Sequence, residues 1–299
     1  MSGLCEGRVA IVTGAGRGLG RDYALMLAAN GAKVVINDIG TSREGSGKDT
    51  SPATQVVEDI RKAGGEAVTN GDDVADWNGA KNLIDFAVKT FGKLDVLVNN
   101  AGILRDRMLT NMSEDEWDAV IKVHLKGTFA PSRHASAYWR DQSKAVAGPV
   151  KARLINVTST SGIYGNVGQT NYGAAKAGIA AFSIIAAREL KRYGVTVNAV
   201  SPSAQTRMTE GLRELTAEQR ERRNPRWVAP LVTWLASEES QDVTARVFQA
   251  GNGIVAVCEG WRRGPTIEQM DDPAKLGPIV REMVAGARKN SGMDGLELD

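Results

Sequence analysis

The fold of this chain is constrained most by a glycine-rich turn between an apolar strand and a helix. Residues 9–13 form a β-branched run, and Gly14, Gly18 and Gly20 follow it at the start of a helical pattern. Glycine lets the backbone turn tightly and approach a pyrophosphate, and the free amide groups of a helix N-terminus attract negative charge. Such a turn alone is as often structural as dinucleotide-binding, so other residues must distinguish the two interpretations.

Strand-like and helical segments alternate along the chain. Apolar, β-branched runs predict strands at 9–13, 33–37, 67–70, 94–98, 154–157, 195–200 and 254–257. Helical patterns lie after Leu19 and near 54–63, 76–91, 114–140, 172–193 and 226–237. This alternation, with its short connections, predicts an α/β fold: a doubly wound, seven-stranded parallel sheet of Rossmann-like type in a single domain.

Local signals refine this outline. Ser113 and Glu116 have the spacing of a capping box, which predicts that a helix begins at residue 114. The catalytic, dinucleotide-binding domain is expected to span residues 1–261, with a C-terminal extension at 262–299. Apolar residues at helical spacing between 276 and 283 predict one short amphipathic helix in that extension.

The charge balance and the few cysteines exclude several classes of protein. The 299 residues include 37 basic and 35 acidic side chains, so no strong field favours nucleic acid or an anionic membrane. Cys5, Cys258, His124 and His134 are isolated, which argues against a disulfide scaffold and a zinc site. No apolar run approaches the ~18 residues of a membrane span. We therefore expect a cytoplasmic protein, without metal or membrane contact, that acts on a small molecule.

Two residues near the turn point to different cofactors. Asp38 ends the second strand, eighteen residues after Gly20, where its carboxylate can accept hydrogen bonds from the adenosine ribose. Arg17, inside the turn, could instead attract the 2′-phosphate of NADP. NAD is favoured over NADP because the carboxylate would repel the phosphate at hydrogen-bonding distance, whereas a flexible arginine can turn to solvent.

Three further residues form a candidate proton-transfer site. Tyr172 and Lys176 stand four residues apart, which places both on one face of a helix, and Ser159 lies thirteen residues upstream of the tyrosine. A neighbouring ammonium group favours the ionised form of a phenol. Each residue also has a simpler interpretation, as a helix-face aromatic, a solvated charge or a hydroxyl at a strand end.

These motifs together resemble the short-chain dehydrogenase/reductase family. The glycine turn, Asn-Asn-Ala-Gly at 99–102, Ser159, Tyr-Gly-Ala-Ala-Lys at 172–176 and Ser-Pro at 201–202 occur in that family's order. The resemblance covers about residues 5–260. It implies that Tyr172 exchanges a proton with a secondary alcohol or ketone, while Ser159 binds the substrate oxygen and Lys176 lowers the pKa of the tyrosine and binds the nicotinamide ribose.

The predicted cofactor-binding residues follow from the same resemblance. They are Gly14, Arg17, Gly18, Leu19, Gly20, Asp38, Asp73, Val74, Asn100, Ala101, Gly102, Tyr172, Lys176, Pro202, Ala204 and Thr206. Two positions depart from the family pattern. His124 replaces an asparagine that steadies a helix and a proton-relay water, and it is either a relay group or a packing residue. Ser203 stands where the family often has Pro-Gly.

Further segments carry a finer resemblance: 37–40, 99–107, 123–127, 161–166, 207–209 and 228–232. Within the family, they make the chain most similar to the (3R)-hydroxyacyl-CoA dehydrogenase domain of peroxisomal multifunctional enzymes type 2 and their bacterial relatives. This implies a 3-hydroxyacyl-CoA or a steroid-like alcohol as substrate. Arginines in a substrate lid near 206–226 could meet a coenzyme A phosphate, but a solvated, charge-paired helix is the favoured interpretation of them. A general reductase of small ketones and a non-catalytic dinucleotide sensor are the alternatives.

Subunit pairing is the last expectation. The helices predicted at 113–139 and 172–193 have apolar faces too extensive for one contact, and the resemblance implies that they pair between subunits. A homodimer or homotetramer is therefore expected.

Overall fold

The computed structural model describes residues 3–42, 45, 47, 49–204, 216–270 and 272–297, and the structural statements below concern these residues. The chain divides into two compact units, Met1–Cys258 and Glu259–Asp299, each of which is described by itself.

One eight-stranded sheet forms the centre of the first unit, with the strand order β3-β2-β1-β4-β5-β6-β7-β8. The strands are β1 Val9–Thr13, β2 Lys33–Asn37, β3 Glu66–Asn70, β4 Val96–Asn99, β5 Arg153–Val157, β6 Thr196–Pro202, β7 Val247–Gly251 and β8 Ile254–Cys258. Neighbours from β3 to β7 pair in parallel, and β8 pairs antiparallel with β7. The doubly wound, Rossmann-like α/β fold is confirmed.

The strand count and the direction of the last strand correct the sequence-based expectation. The sheet has eight strands rather than seven, because β7 escaped prediction, and the segment at 254–257 is the antiparallel edge strand β8. A tight turn joins the two strands: Gly251, Asn252 and Gly253 all have positive φ, at 104°, 53° and 84°. That geometry favours Gly and Asn, so Gly-Asn-Gly between short apolar runs is a hairpin signal that the sequence does contain.

The helices of the first unit cover both faces of the sheet. They are α1 Gly18–Ala29, α2 Ser51–Lys62, α3 Trp77–Phe91, α4 Glu114–Ile121, α5 Gly127–Ala145, α6 Thr160–Ile163, α7 Thr170–Leu190, α8 Ala217–Arg222 and α9 Ala229–Ala236. The predicted capping box is present: Ser113 Oγ accepts from the amide of Glu116, whose carboxylate accepts from the amide of Ser113.

The single helix predicted at 114–140 is interrupted. A π-helical turn, Lys122–Lys126, separates α4 from α5 and carries His124 in its middle. Such turns insert an extra residue into a helix and often lie at functional sites. The hydrophobic pattern does not reveal the interruption, because both helices continue the same apolar face.

Alternate strand residues enter different halves of the core. Ala10 and Val12 of β1 pack with α1, α2 and α9, whereas Ile11 packs with α3, α5 and α7 on the opposite face. Because both faces are covered, β1 is buried along its whole length, as expected of a parallel sheet between two helical layers. Because β1, β2, β4, β5 and β6 are parallel, their C-terminal ends share one edge of the sheet, and the candidate site residues lie there.

The second unit contains helix α10, Pro273–Gly286, where the sequence predicts an amphipathic helix. Asp272 begins this helix, and its side chain accepts from the amide groups of Ala274 and Lys275. An isolated antiparallel bridge joins Ser291 to Glu297.

Candidate active site

The glycine turn is shaped by close backbone contacts. Gly14 and Gly18 have positive φ, at 61° and 53°. A Cβ on Gly14 would lie 2.8 Å from the Cα of Ala101, and a Cβ on Gly20 only 2.3 Å from the carbonyl oxygen of Gly14. Side chains at these positions would collide with backbone that cannot move aside. We call the turn at 14–20, with the segment 100–102 beside it, the glycine cradle.

Hydrogen bonds from the end of β1 hold the two halves of the cradle together. Thr13 Oγ1 accepts from the amide groups of Asn100, at 2.9 Å, and Ala101, at 3.0 Å. The Asn100 side-chain amide donates back to the carbonyl oxygens of Thr13 and Gly14, at 2.9 and 3.1 Å. The main role of Asn100 is thus to link the end of β1 to the segment after β4 by hydrogen bonds.

Asp38 lies directly beside the cradle. Its carboxylate accepts from the amide of Gly16 at 2.8 Å and from the amide of Gly40 at 2.7 Å. Two backbone donors fix the orientation of this anion at the end of β2.

A cavity of about 370 Å³ runs along the cradle. The predicted cofactor-binding residues that line it are Gly14, Arg17, Gly18, Leu19, Gly20, Asp38, Asp73, Val74, Asn100, Ala101 and Gly102. Pro202, at the end of β6, pairs with Ala250 of β7, and Ala204 packs against the hydrophobic core; neither lines the cavity. Thr206 lies outside the described residues.

Ser159 and Tyr172 meet at the end of β5. Ser159 precedes the short helix α6, and its Oγ accepts from the amide of Ser161 at 3.2 Å. Tyr172 is in the first turn of α7. Removal of the phenol from solvent raises the pKa of Tyr172 to about 12; a hydrogen bond with Ser159 opposes this rise, and the Asp106 carboxylate adds to it.

Lys176 lies one helical turn beyond Tyr172 and is buried. Its Nζ donates to the carbonyl oxygen of Val157 at 2.6 Å and lies 5.6 Å from the centroid of the Tyr172 ring. Burial lowers the pKa of Lys176 to about 7, well below the ordinary value of a lysine. Burial thus shifts the pKa values of both Tyr172 and Lys176 in the direction that disfavours their charged forms, and the effect of the lysine on the phenol stays a prediction.

His124 packs directly on this pair. Its ring meets the Tyr172 ring edge to face, with centroids 5.1 Å apart, and fills the space where a Cβ on Gly102 would stand, 2.2 Å from Cε1. Nε2 lies 2.7 Å from the carbonyl oxygen of Ile103 and 3.1 Å from its amide nitrogen. Because a carbonyl oxygen can only accept, the shorter contact assigns the proton to Nε2.

Burial, with the nearby charge of Lys176, lowers the pKa of His124 to about 3, so the imidazole is neutral at physiological pH. Its Nδ1 is buried and has no hydrogen-bond partner among the described residues. His124 therefore has both properties considered from the sequence: it packs against the tyrosine and offers an unused acceptor. We call Ser159, Tyr172, Lys176 and His124 the tyrosine pocket.

Residues that sequence reasoning did not single out support the pocket. Gln169 Oε1 accepts from Ser161 Oγ at 2.7 Å, and its Nε2 donates to Asp106 at 2.8 Å. Gln169 lies three residues before Tyr172, which was an available signal for a contact on the same side of the helix.

Ser203, which stands where the family often has Pro-Gly, is hydrogen-bonded by a buried glutamine. Gln249 of β7 donates to Ser203 Oγ and accepts from the Tyr164 hydroxyl, each at 3.3 Å. Because β7 was not predicted, neither partner could be inferred from the sequence.

The predicted lid at 206–226 is described only from residue 216 onward. Thr216 and Gln219 form a capping box at the start of α8, and Arg226 pairs with Glu221. Of the lid arginines, Arg207 and Arg213 lie outside the described residues, whereas Arg226 agrees with the charge-paired interpretation.

Neither a metal site nor a membrane-spanning helix is found among the described residues. In the part of the chain that the structure describes, no three His, Cys, Asp or Glu side chains are grouped so that they could hold a metal ion. Among the described helices, none has the length and apolar character required to cross a bilayer.

Comparisons with known proteins agree with this arrangement. The family model for short chain dehydrogenase matches residues 8–219. The hydroxyacyl-CoA dehydrogenase ChsB1 of Mycobacterium tuberculosis is 47% identical, over 98% of this chain and 93% of that protein. A crystal structure of a short chain dehydrogenase from Mycobacterium avium superposes with a TM-score of 0.87 at 51% identity, and covers 99% of this chain and 100% of that one.

Longer relatives match only in part. The peroxisomal multifunctional enzyme type 2 of Mus musculus is 42% identical over 93% of this chain, which spans 34% of that enzyme. The peroxisomal hydratase-dehydrogenase-epimerase of Neurospora crassa is 40% identical over 93% of this chain, and here the chain spans 30% of the relative. The chain thus corresponds to about a third of these proteins. From the family match and the full-length relatives, it belongs to the short-chain dehydrogenase family and is an oxidoreductase.

Proposed function

We propose that this protein is an NAD-dependent dehydrogenase of a secondary alcohol, with a 3-hydroxyacyl-CoA as its substrate class. The observation that carries the proposal is that Ser159, Tyr172 and Lys176 lie together at the end of β5, at the same sheet edge as the glycine cradle. Membership of the family implies a nicotinamide cofactor. The choice of NAD, the substrate and the roles of the individual residues are what we propose.

The cradle fits the adenosine and pyrophosphate part of such a cofactor. Gly14 and Gly20 leave no room for side chains and bring the backbone to the surface of the cavity, as close approach to a pyrophosphate requires. The Asp38 carboxylate, oriented by Gly16 and Gly40, would accept hydrogen bonds from the ribose hydroxyls. The same negative charge would repel a 2′-phosphate, which supports NAD rather than NADP.

The tyrosine pocket supplies the proton transfer. When bound, the nicotinamide exchanges a hydride with the substrate carbon, and in its oxidised form it adds a positive charge that favours tyrosinate. In the direction of oxidation, Tyr172 Oη accepts the proton of the substrate hydroxyl, and in reduction it donates one. Ser159 Oγ would hydrogen-bond the substrate oxygen as charge develops on it.

Lys176 and His124 hold the tyrosine in place. The bond from Lys176 Nζ to the carbonyl oxygen of Val157 anchors the lysine at the end of β5, where we propose that it would bind the nicotinamide ribose. The neutral His124 ring fixes the Tyr172 ring from its edge.

The substrate class is supported by the relatives. ChsB1 is named a hydroxyacyl-CoA dehydrogenase, and the Thermotoga maritima 3-oxoacyl-[acyl-carrier-protein] reductase FabG is 37% identical over 84% of this chain. Both names describe an oxygenated acyl thioester, and the name of FabG places the oxygen on C3. A steroid-like secondary alcohol remains the second substrate proposal, and arginines of the proposed lid near 206–226 are where a coenzyme A phosphate would bind.

Turnover assays test the proposal directly. The purified protein is incubated with NAD or NADP and one of four substrates: a 3-hydroxyacyl-CoA, the free 3-hydroxy acid, a hydroxysteroid or a small secondary alcohol. We expect the highest kcat/KM with NAD and the thioester. A preference for NADP would contradict the cofactor assignment, and equal rates with the free acid would contradict the coenzyme A assignment. Binding of the cofactor without any turnover would favour the sensor alternative.

We also propose a homodimer or homotetramer, with residues 1–261 as its catalytic domain and 262–299 as an extension. Phe129 of α5 and Ile185 of α7 are large apolar residues with 44% and 57% of their surface exposed, which supports contact between subunits at these helices. Sedimentation at micromolar concentration tests the assembly, and a monomer would contradict it. Localisation in the cytoplasm stays a prediction, which fractionation of cells would check.

A further inference from the structure

Arg17 has a partner that the sequence did not reveal. Its Nη2 lies 2.9 Å from Oδ2 of Asp49, in an ion pair that reaches from the glycine turn to the segment before α2. Arg17 lines the cavity and directly follows Gly16, whose amide is bonded to Asp38. The guanidinium therefore stands beside the proposed ribose site but is held by a carboxylate.

Asp49 is arranged to hold that guanidinium. Its Oδ1 accepts from the amide of Ser51 at 3.1 Å and from the Ser51 hydroxyl, which leaves Oδ2 directed at Arg17. The hydrogen bonds from Ser51, with the nearby Arg17, hold the pKa of Asp49 below its usual range. The carboxylate is consequently ionised at neutral pH and already oriented by the start of α2.

Gly40 links this carboxylate to the one at the ribose. Its amide donates to Asp38 at 2.7 Å, and its carbonyl oxygen accepts from the amide of Asp49 at 2.9 Å. Gly40 has a φ of 73°, and a Cβ there would lie 2.1 Å from the carbonyl oxygen of Asp49. Only glycine satisfies both the left-handed geometry and the close approach, so the two acidic residues are held in a set relation.

We propose that Asp49 is a specificity-determining residue that holds the Arg17 guanidinium away from a cofactor 2′-phosphate and so selects NAD. This inference rests on the dinucleotide cofactor proposed above. Arg17 carries one positive charge, and Asp38 and Asp49 carry two negative charges, which leaves this corner of the cavity with a net negative charge. A 2′-phosphate would have to break the ion pair and also approach both carboxylates.

The size of the effect follows from the exposure of the pair. The side chains of Arg17 and Asp49 are 39% and 52% exposed, so solvent and salt screen their attraction. Release of Arg17 should therefore strengthen NADP binding by about two- to fivefold, with Asp38 still providing most of the discrimination.

The test compares dissociation constants of NAD and NADP, measured by calorimetric titration of the full chain. Asp49→Asn removes the charge but keeps an oxygen that can accept from Ser51, so the start of α2 is preserved. We expect the Kd of NADP to fall about two- to fivefold and the Kd of NAD to stay within about twofold. Asp49→Ser, whose hydroxyl can also accept from the amide of Ser51, repeats the measurement if the asparagine variant folds poorly.

Two further variants distinguish the effect of the Arg17–Asp49 ion pair from the general effect of removing a negative charge. Asp59→Asn breaks the ion pair between Arg21 of α1 and Asp59 of α2, which are 3.0 Å apart and do not line the cavity. This variant should leave both dissociation constants unchanged. In the Arg17→Ala background, Asp49→Asn should lose most of its effect on NADP.

Three results would overturn the proposal: an unchanged NADP affinity in both Asp49 variants, the same gain without Arg17, or an equal gain from Asp59→Asn. Failure of the unaltered protein to bind either dinucleotide would instead refute the proposed function, and this inference with it.

Discussion

The glycine cradle and the tyrosine pocket lie at the same edge of the sheet, but backbone atoms form the cradle and side chains form the pocket. In the cradle the decisive contacts are between backbone atoms, as where Gly20 meets the carbonyl of Gly14. In the tyrosine pocket they are between buried side chains whose pKa values are strongly shifted, as in Tyr172 and Lys176. Steric fit therefore governs the first region, and desolvation governs the second.

This difference predicts that a subtle change of one atom disables the tyrosine pocket but not the cradle. Tyr172→Phe removes only the hydroxyl, and with it the group that exchanges the proton. We expect kcat to fall by about 10³-fold while the Kd of NAD stays nearly the same. Steady-state kinetics and calorimetric titration measure the two quantities.

Tyr164→Phe is the matched control for that variant. The Tyr164 hydroxyl also has a pKa raised by burial, to about 12, but its partners are Gln249 and Cys258. We expect kcat to change by less than about tenfold, the span of one lost hydrogen bond. If Tyr172→Phe kept normal turnover, the proton-transfer role would be wrong.

The cradle should fail in the opposite way, through a small addition rather than a removal. Gly20→Ala places a methyl group 2.3 Å from a backbone oxygen, so the turn must shift. Overpacking of this kind costs about 1–3 kcal/mol, which predicts a loss of NAD affinity of about 10- to 100-fold. Titration calorimetry reports this loss directly.

Gly71→Ala is the control for the cradle, because no atom lies within 4 Å of the added Cβ and the residue has no positive φ. It should bind NAD normally. Normal binding by Gly20→Ala would show that backbone approach to the cofactor does not determine affinity there.

The last expected effect concerns stability rather than turnover or cofactor binding, and it belongs to the tyrosine pocket alone. The pKa of His124 is about 3 in the folded protein and 6.5 unfolded, so the unfolded chain binds more protons between these values. Stability contributed by the neutral ring is thus present above pH 6.5 and is lost as the pH falls towards 3. From pH 6.5 to 4.5 the loss should be about 2–3 kcal/mol.

His124→Asn cannot titrate, so its free energy of unfolding should depend less on pH by that amount. Urea denaturation at pH 6.5, 5.5 and 4.5 measures the difference between the two proteins. Parallel curves for the variant and the unaltered protein would show that His124 is not held neutral by burial.

Much of the fold was predictable because it depends on local patterns. The alternation of strands and helices and the capping box at Ser113 follow from residues close in sequence, and the structure confirms both. The hairpin of β7 and β8 was missed, since β7 has only one β-branched residue, Val247, and includes the buried polar Gln249. The π turn at Lys122–Lys126 was missed because it leaves the hydrophobic pattern almost unchanged.

In the candidate site, too, the features set by local spacing were predictable and the contacts between distant segments were not. The four-residue spacing of Tyr172 and Lys176 predicts their common helix face, and the structure brings Ser159 to them from β5. The partners of Arg17 and His124 could not be predicted in this way. Asp49 reaches Arg17 from a segment 32 residues away, and Ile103 reaches His124 from one 21 residues away.

The sequence by itself determined the fold class and the set of reactive groups, because hydrophobic period, glycine positions and helical spacing are local properties of the chain. The tertiary structure alone decided the electrostatic state of those groups. Burial lowers the pKa of Lys176 and keeps His124 neutral, and the carboxylate of Asp49, which is distant in sequence, forms an ion pair with Arg17 of the glycine turn. Desolvation and ion pairing depend on which segments pack together, and spacing along the chain does not encode that.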